Sequence, residues 1–393
     1  RRKRLARGRP SVQHQRQLQV RGRRVPLAPP GAGLPSSRLS SHCVFVAART
    51  AMLATLFALP AIAAALPAGT MDFEKFKRMF RRNYAAGEEP VRRAIFEAEM
   101  SKIEAHNAAE FSWKMGVNQF SDWTWDEFKD SILMEAQNCS ATSSASQLEA
   151  KLGSRVLQDI PDALDWRERG IVSEVKNQGS CGSCWTFSTV GALEAHLALK
   201  ADPWRAPRLS EQQLVDCAFN FDTAGCNGGL PSHAFEYIKH AGGLSTEFAY
   251  PYVAETKDCS FSMAEDAPVP EAQGVGIIVP GGSVNLTAGD EKQLQMALAT
   301  AGPVSVAFQV ASDFKSYASG VYTSTVCKDG PMDVNHAVLA VGYGTDVDLD
   351  MPYWTIKNSW DFTWGADGYF KMEAFKNMCG VANCNSYPDL YGM

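Results

Sequence analysis

The chain has 393 residues, more than one small domain needs, and on a prior of roughly 100–200 residues per domain it holds two or more compact units, or one with processed extensions. A hydrophobic content of 45% and a charged content of 21% describe a soluble globular chain and exclude a wholly disordered or collagen-like one. The net charge of −5 conceals an asymmetry: 12 of the 38 Lys and Arg residues precede Asp72, the first acid, so the remainder is strongly acidic.

Residues 1–51 are rich in Arg, Gln, Pro and Ser and show no sustained apolar periodicity, which reads as a basic disordered leader. Phe45 is its only large aromatic able to stack on bases, so no nucleic-acid partner is expected. Residues 52–68, starting at Met52, form an apolar core with small residues at Ala63 and Ala65, placed as at a signal-peptidase site. Pro60 and the small residues argue against a stable membrane span, which needs about 20 apolar residues. A signal anchor and an organelle transit peptide are the competing readings. The cysteines favour the secretory pathway, ending in a lysosome or outside the cell.

Residues 69–159 carry helical rather than linker patterning. Phe73, Phe76, Met79 and Phe80 repeat at three- and four-residue spacing, and Val91, Ile95, Phe96, Met100 and Ile103 continue in a second register. An additional helical domain is the plain reading. Within it, Glu135–Thr142 is a loop with a glycosylation sequon at Asn138 and an oddly placed Cys139. A second sequon stands at Asn285.

Of the ten cysteines, Cys43 goes with the leader and nine follow. An odd count in a secreted chain suggests four bridges and one free thiol. Cys181-Gly-Ser-Cys184 also fits half a zinc site or a redox pair. Zinc would want a second closely spaced pair, and Cys379 and Cys384 have no nearby His. A redox pair would follow a strand in a βαβ pattern, absent from the flanks. No metal or other cofactor is expected.

Gly179, Ser180, Gly182 and Ser183 form a turn before an apolar-periodic stretch from Trp185 to about Leu199, with Phe187, Val190, Gly191, Leu193 and Leu197 on one helical face. Cys184 then begins a helix that Ser183 caps, and the helix dipole should lower the thiol pKa. His336 opens an apolar run that reads as a buried strand, where a satisfied core histidine is the alternative to a proton carrier. Asn358 can accept a ring N–H from it, Trp360 can shield that bond, and Gln178 can donate to an oxyanion beside the Cys184 N–H.

With Gln178, Cys184, His336 and Asn358 in this order, and with Cys181-Gly-Ser-Cys184-Trp185, Asp165-Trp166-Arg167 and Cys226-Asn-Gly228-Gly229, the chain resembles the papain family of cysteine proteases from about Phe73 onward. The resemblance implies an α+β, papain-like two-lobed fold. A helical left lobe from about Ile160 and a β-barrel-like right lobe from about Gln273 flank a cleft, with alternation in Pro303–Val310 supporting a strand. It also implies substrate contacts at Gly228, Gly229 and Trp360, and a mature enzyme of residues 160–393. Glu88, Arg92, Phe96, Ile103 and Asn107, with Glu99 in place of a usual Asn, and Gly116–Asp122 are similar to the family's inhibitory propeptide. The chain's own propeptide would be its intramolecular inhibitor, with an acid trigger through its carboxylates. One departure is Asp361 for the usual Gly of Asn-Ser-Trp-Gly; Asp tolerates left-handed backbone, and the change bears on the packing of Trp360.

Residues 135–142 resemble the excised mini-chain of the cathepsin H branch of that family, and the segment from Lys376 to Cys384 resembles its receiving end. The likeness implies bridges Cys139–Cys384, Cys181–Cys226, Cys217–Cys259 and Cys327–Cys379, with Cys184 free. A tethered mini-chain ending at Thr142 would pair its carboxylate with a substrate α-ammonium and favour an aminopeptidase with some endopeptidase activity. A plain endopeptidase, a catalytically silent binding protein on the same fold and a thiol-redox protein are the alternatives. The expected partners are peptide and protein substrates, and the expected state is a monomer.

Overall fold

The computed structural model describes residues 71–139, 160–200, 208–261, 275–277 and 279–391. The expected leader, the signal peptide and Thr142 lie outside the described residues. Among those residues no helix is long and apolar enough to cross a membrane.

The first part is helical. α1 (Phe73–Met79) starts at Asp72, whose carboxylate accepts the Lys75 N–H, and α2 (Glu89–Ala108) has Pro90 in its first turn. A short strand, β1 (Trp113–Met115), follows, and α3 (Trp125–Ile132) opens with a Thr124–Glu127 capping box. The apolar registers are only partly used. Met79 and Val91 are 46% and 58% exposed, whereas Glu99 is buried with Phe96, Met100 and Ile103. The buried face of α2 is the one turned toward the second half of the chain, and there Glu99 meets a lysine.

The next part places a two-residue strand, β2 (Leu164–Asp165), before three helices: α4 (Cys184–Lys200), α5 (Glu211–Cys217) and α6 (Pro231–Ala241). A small antiparallel pair, β3 (Leu244–Ser245) and β4 (Val275–Ile277), follows. Then come β5 (Gly282–Asn285), α7 (Glu291–Thr300), β6 (Val304–Phe308), β7 (Tyr317–Tyr322), β8 (His336–Asp346), β9 (Met351–Lys357), β10 (Tyr369–Glu373) and β11 (Ser386–Asp389). Among the described residues the strands of the barrel-like half form one open nine-stranded sheet together with β1 and β2, ordered β1-β7-β10-β9-β8-β6-β11-β5 with β2 on β8.

Two expectations of half-buried patterning give way to full burial. α4 is not one-faced: every residue from Cys184 to His196 is buried, the polar Thr186, Ser188, Thr189, Glu194 and His196 included. It lies across the sheet, with Ser188 Oγ donating to Val338 O at 2.6 Å and Ser305 Oγ donating to Ser188 O at 3.0 Å. β6 is likewise buried at all five positions rather than on alternate ones, because β8 and β11 flank it and α4 covers it.

Among the described residues the disulfides are Cys139–Cys384, Cys181–Cys226, Cys217–Cys259 and Cys327–Cys379, and Cys184 is free. The core has two large parts and a small one around Trp166, Ile171, Ala195 and Ala198. One large part gathers Trp185, Leu193, Leu214, Phe235 and Ile238 among α4, α5 and α6. The other joins Phe308, Trp354 and Phe370 of the sheet, with Phe314 and Trp364 from its connections, to Phe73, Phe76, Phe96 and Phe128 of the first helices. Full burial of each such ring is worth about 1.5–3 kcal/mol, so the N-terminal helices are held chiefly by the apolar face they share with the sheet. The same attachment continues through hydrogen bonding: β1 adds to the sheet as its edge strand, antiparallel to β7, with Trp113 opposite Gly320. Gly320 has φ +85°, and a Cβ there would lie 2.4 Å from Ser112 O, so the close pairing requires glycine.

Candidate active site

The start of α4, the start of β8 and the loop after β9 converge. The Ala337 N–H donates to Cys184 Sγ at 3.4 Å, which brings the thiol to the foot of β8 beside His336. His336 Nε2 lies 2.8 Å from Asn358 Oδ1, and the same oxygen accepts the Ser359 N–H at 2.9 Å. The backbone N–H can only donate, so it identifies this amide atom as the oxygen. The ring must therefore carry its proton on Nε2, leaving Nδ1 as the basic nitrogen. Nδ1 is buried without a hydrogen-bond partner among the described residues. Trp360 stacks on the imidazole with centroids 4.6 Å apart and an interplanar angle of 28°, shielding the His–Asn bond despite Asp361 beside it. Asp361 takes φ +68°, a left-handed conformation that Asp accepts at small cost.

Gln178 is pinned by its neighbours. Its Oε1 accepts the Ser359 hydroxyl at 2.7 Å, and its backbone N–H donates to Ser359 O at 2.9 Å. Its amide N–H groups donate to Cys181 O and Ile132 O, both at 2.8 Å. Ile132 is the last residue of α3, so a carbonyl of the N-terminal segment takes one of the two Gln178 amide N–H bonds. Ser183 is not the expected cap. Its hydroxyl pairs with Tyr252 Oη at 2.6 Å, and Tyr252 in turn donates to Gln178 O.

The thiol differs more sharply from its sequence-based expectation. Burial pushes Cys184 up to about 12, outweighing the N–H groups of Ala337, Trp185 and Met134 that favour its charge. Burial likewise pushes His336 down to about 4, against the opposing effect of the Asn358 hydrogen bond. The helix end alone predicts a thiolate, but the covering segment removes the water a charged pair would need. In this closed form both groups are neutral.

Residues 160–389 match the model of the papain family cysteine proteases, and residues 73–128 match that of the cathepsin propeptide inhibitor domain (I29). The chain belongs to the papain family of cysteine proteases. Cysteine proteinase 3 of Solanum lycopersicum is 54% identical over 319 residues, covering 81% of this chain and 84% of that protein. Pro-cathepsin H of Medicago truncatula is 51% identical over 321 residues, covering 81% and 85%. Among solved structures, the digestive procathepsin L2 proteinase of Tenebrio molitor is 37% identical with a TM-score of 0.71, covering 81% of this chain and 98% of that one.

The protease is thus a papain-family zymogen with its pro-segment seated in the cleft. Residues 119–132 cover the half of the cleft beside Trp360: the Gln119 side chain bonds Trp360 O and Thr363 Oγ1, and the Phe120 and Phe128 rings meet Trp360 edge-on. Residues 134–139 cover the other half. Met134 N donates to Asn335 O, Glu135 N to Asn227 O, Gln137 N to Val334 O and Cys139 N to Pro331 O, at 2.9–3.1 Å. Gly228 faces this segment, since a Cβ there would lie 2.7 Å from Gln137 Nε2. Gly229 instead turns toward Trp185, where a Cβ would meet the indole at 2.9 Å, so it packs the wall from behind. Asn138 is exposed, and Asn285 is half-buried on the edge strand β5.

Three residues of the site and its cover stand out only in the structure. Ser359 fixes both Asn358 and Gln178, and its position next to Asn358 was the available signal. Tyr252 carried no signal, being an ordinary tyrosine after Pro251. Lys315, buried beneath α2 and 3.4 Å from Glu99, also passed unremarked.

Proposed function

We propose that Cys184, His336, Asn358 and Gln178 hydrolyse peptide bonds and that the matured enzyme is chiefly an aminopeptidase with some endopeptidase activity. Once the pro-segment leaves, water returns to the cleft and the Cys184 proton passes to His336 Nδ1. The thiolate attacks the substrate carbonyl. Gln178, freed from Ile132 O, and the Cys184 N–H hold the oxyanion. His336 then protonates the leaving amine, Asn358 keeping the ring oriented, and water resolves the thioester.

The observation that carries the aminopeptidase reading is the Cys139–Cys384 bridge beside residues 134–139 in the cleft. In the zymogen Met134 is the end of this stretch at the thiol. If residues 135–142 are excised and retained, the octapeptide must reverse about Cys139 for Thr142 to point toward Cys184. At about 3.3–3.6 Å per residue, the five residues from Cys139 to Met134 span roughly 17 Å and the three to Thr142 roughly 10 Å. The new carboxylate then stops about 7 Å short, leaving room for one or two substrate residues before the scissile bond. A charge-assisted contact with a free α-ammonium follows.

Mass spectrometry of the mature enzyme should release residues 135–142 only upon reduction, and free-amine peptides should be cleaved much faster than N-acetylated ones. Equal rates on the two peptide forms would leave a plain endopeptidase.

A further inference from the structure

The half of the cleft not used by residues 134–139 carries a side chain to which the mechanism assigns no role. Asp361 follows Trp360, which bridges antiparallel to Asn177, and this ladder registers Asp361 against the oxyanion donor. Gln178 N donates to Ser359 O, and Asp361 N donates to Lys176 O at 3.1 Å. Asn177 is itself fixed, its Oδ1 accepting the Gly179 N–H at 2.9 Å, and its Nδ2 reaches Asp361 Oδ2 at only 3.4 Å. Asp361 Oδ1 has no hydrogen-bond partner among the described residues. Lys176, on the same ladder, turns its ammonium inward to Glu194 and Glu211 at 2.9 and 2.8 Å. Phe362, the next residue, is 62% exposed. In the zymogen this stretch lies under Gln119, which grips Trp360 O on one side of Asp361 and Thr363 on the other. When the pro-segment departs, Gln119 leaves both sides of Asp361, and a carboxylate held in register with Gln178 stands next in sequence to a ring that is exposed already in the zymogen.

A carboxylate followed in the chain by an exposed apolar ring suits a long side chain with a cationic end, whose stem can lie on the ring while its charge meets the carboxylate. We propose that Asp361, with Phe362, selects substrates bearing Lys or Arg in the first residues beyond the scissile bond. The assignment of this half of the cleft to the leaving fragment rests on the reading above, in which residues 135–142 hold the other half. An aminopeptidase leaves nearly all of its substrate on this side, so sequence preference beyond the N-terminal residue would be read here.

The test uses the matured enzyme and two sets of quenched peptides, one with free amines and one N-acetylated, identical except for Lys, norleucine or Glu at the second and third positions after the cut. Wild-type enzyme should favour Lys over norleucine in kcat/KM by about fivefold, the upper end for a partly exposed ion pair, and should disfavour Glu. The ratio should fall to about one in Asp361→Asn and reverse toward Glu in Asp361→Lys, and it should weaken in added salt. A wild-type ratio near one, or a ratio unchanged in Asp361→Asn, overturns the proposal. Because the ratio is taken within each peptide set, equal cleavage of acetylated and free-amine peptides would defeat the aminopeptidase reading alone. A Lys preference persisting on those internal cuts would still support Asp361.

Discussion

Replacing Glu99 with glutamine should open the zymogen. Glu99 on α2 and Lys315 just before β7 face each other at 3.4 Å with side chains 10% and 4% exposed, and Ser316 Oγ donates to the same carboxylate. Lys102 stands 4.0 Å away at the rim. Burial pulls the Lys315 ammonium below its ordinary range, and the Glu99 charge is the largest effect opposing this. Removing one partner of a buried pair typically costs about 3–5 kcal/mol, because the other charge is left desolvated. Here Lys315 keeps two carbonyl acceptors, Phe120 O at 3.2 Å and Trp123 O at 2.8 Å, so a loss of about 2–3 kcal/mol is the reasonable figure. All of these partners belong to the pro-segment, and the loss falls on the closed state. The open fraction should rise about 30- to 150-fold. Iodoacetamide labelling of Cys184 in the intact zymogen at neutral pH, followed by mass spectrometry, reads that fraction directly. The double variant with Lys315→Met should cost less than the sum of the two single changes, since it leaves no orphaned charge. A labelling rate within threefold of wild type would refute the reasoning and reduce the pair to a packing detail.

Gln178→Ala should lower kcat of the matured enzyme by about 10²–10³ with little change in KM, the loss expected for one oxyanion donor. Gly320→Ala should weaken the pro-segment, because its Cβ would strike Ser112 O in a left-handed conformation; faster labelling of Cys184 in the zymogen, with unchanged kcat after maturation, is the expected pattern. His106→Phe should move zymogen activation, followed by the appearance of mature protein on gels, to lower pH.

The meeting of Cys184, His336, Asn358 and Gln178 was legible because the chemistry needs particular residue types, and local cues placed Cys184 at a helix start and His336 in an apolar strand. The limits lay in what a local pattern cannot contain. Helical periodicity put Val91 on the apolar face of α2 and said nothing of Glu99, whose burial depends on Lys315 more than two hundred residues away. Adjacent glycines looked equivalent, yet Gly228 faces the cleft and Gly229 faces Trp185, a distinction set by the backbone. The thiol was the instructive case. A helix terminus favours its charge, but the layer contributed by Ile132 to Met134 removes solvent and reverses the sign.

That reversal also constrains where an acid trigger can reside. Apart from the Nε2 proton that the ring keeps throughout, the closed site holds one proton, on the Cys184 thiol, beside a neutral His336. The ion pair of the proposed mechanism also holds one proton, on the imidazole. Opening moves a proton between the two groups and takes none from water, and a step with no change in bound protons has no pH slope. The slope must come from the pro-segment. His106 packs between Phe111 and Trp113, and burial lowers its pKa from 6.5 against the opposing hydrogen bond to Trp113 O. Its neutral form is the folded one, so its contribution to closure is complete above pH 6.5 and is lost as pH falls below that. Glu127 acts lower on the scale. Burial alone would raise its pKa, but the bonds from Arg92 and Thr124 outweigh it and the net shift is below 4.5, so its contribution is complete above pH 4.5 and declines beneath it. Activation should therefore quicken in two stages, from just below 6.5 and again below 4.5. His106→Phe keeps a ring between Phe111 and Trp113 but cannot take up a proton, so it should erase the upper stage and leave the lower one. An upper stage that survives this substitution would move the trigger away from His106.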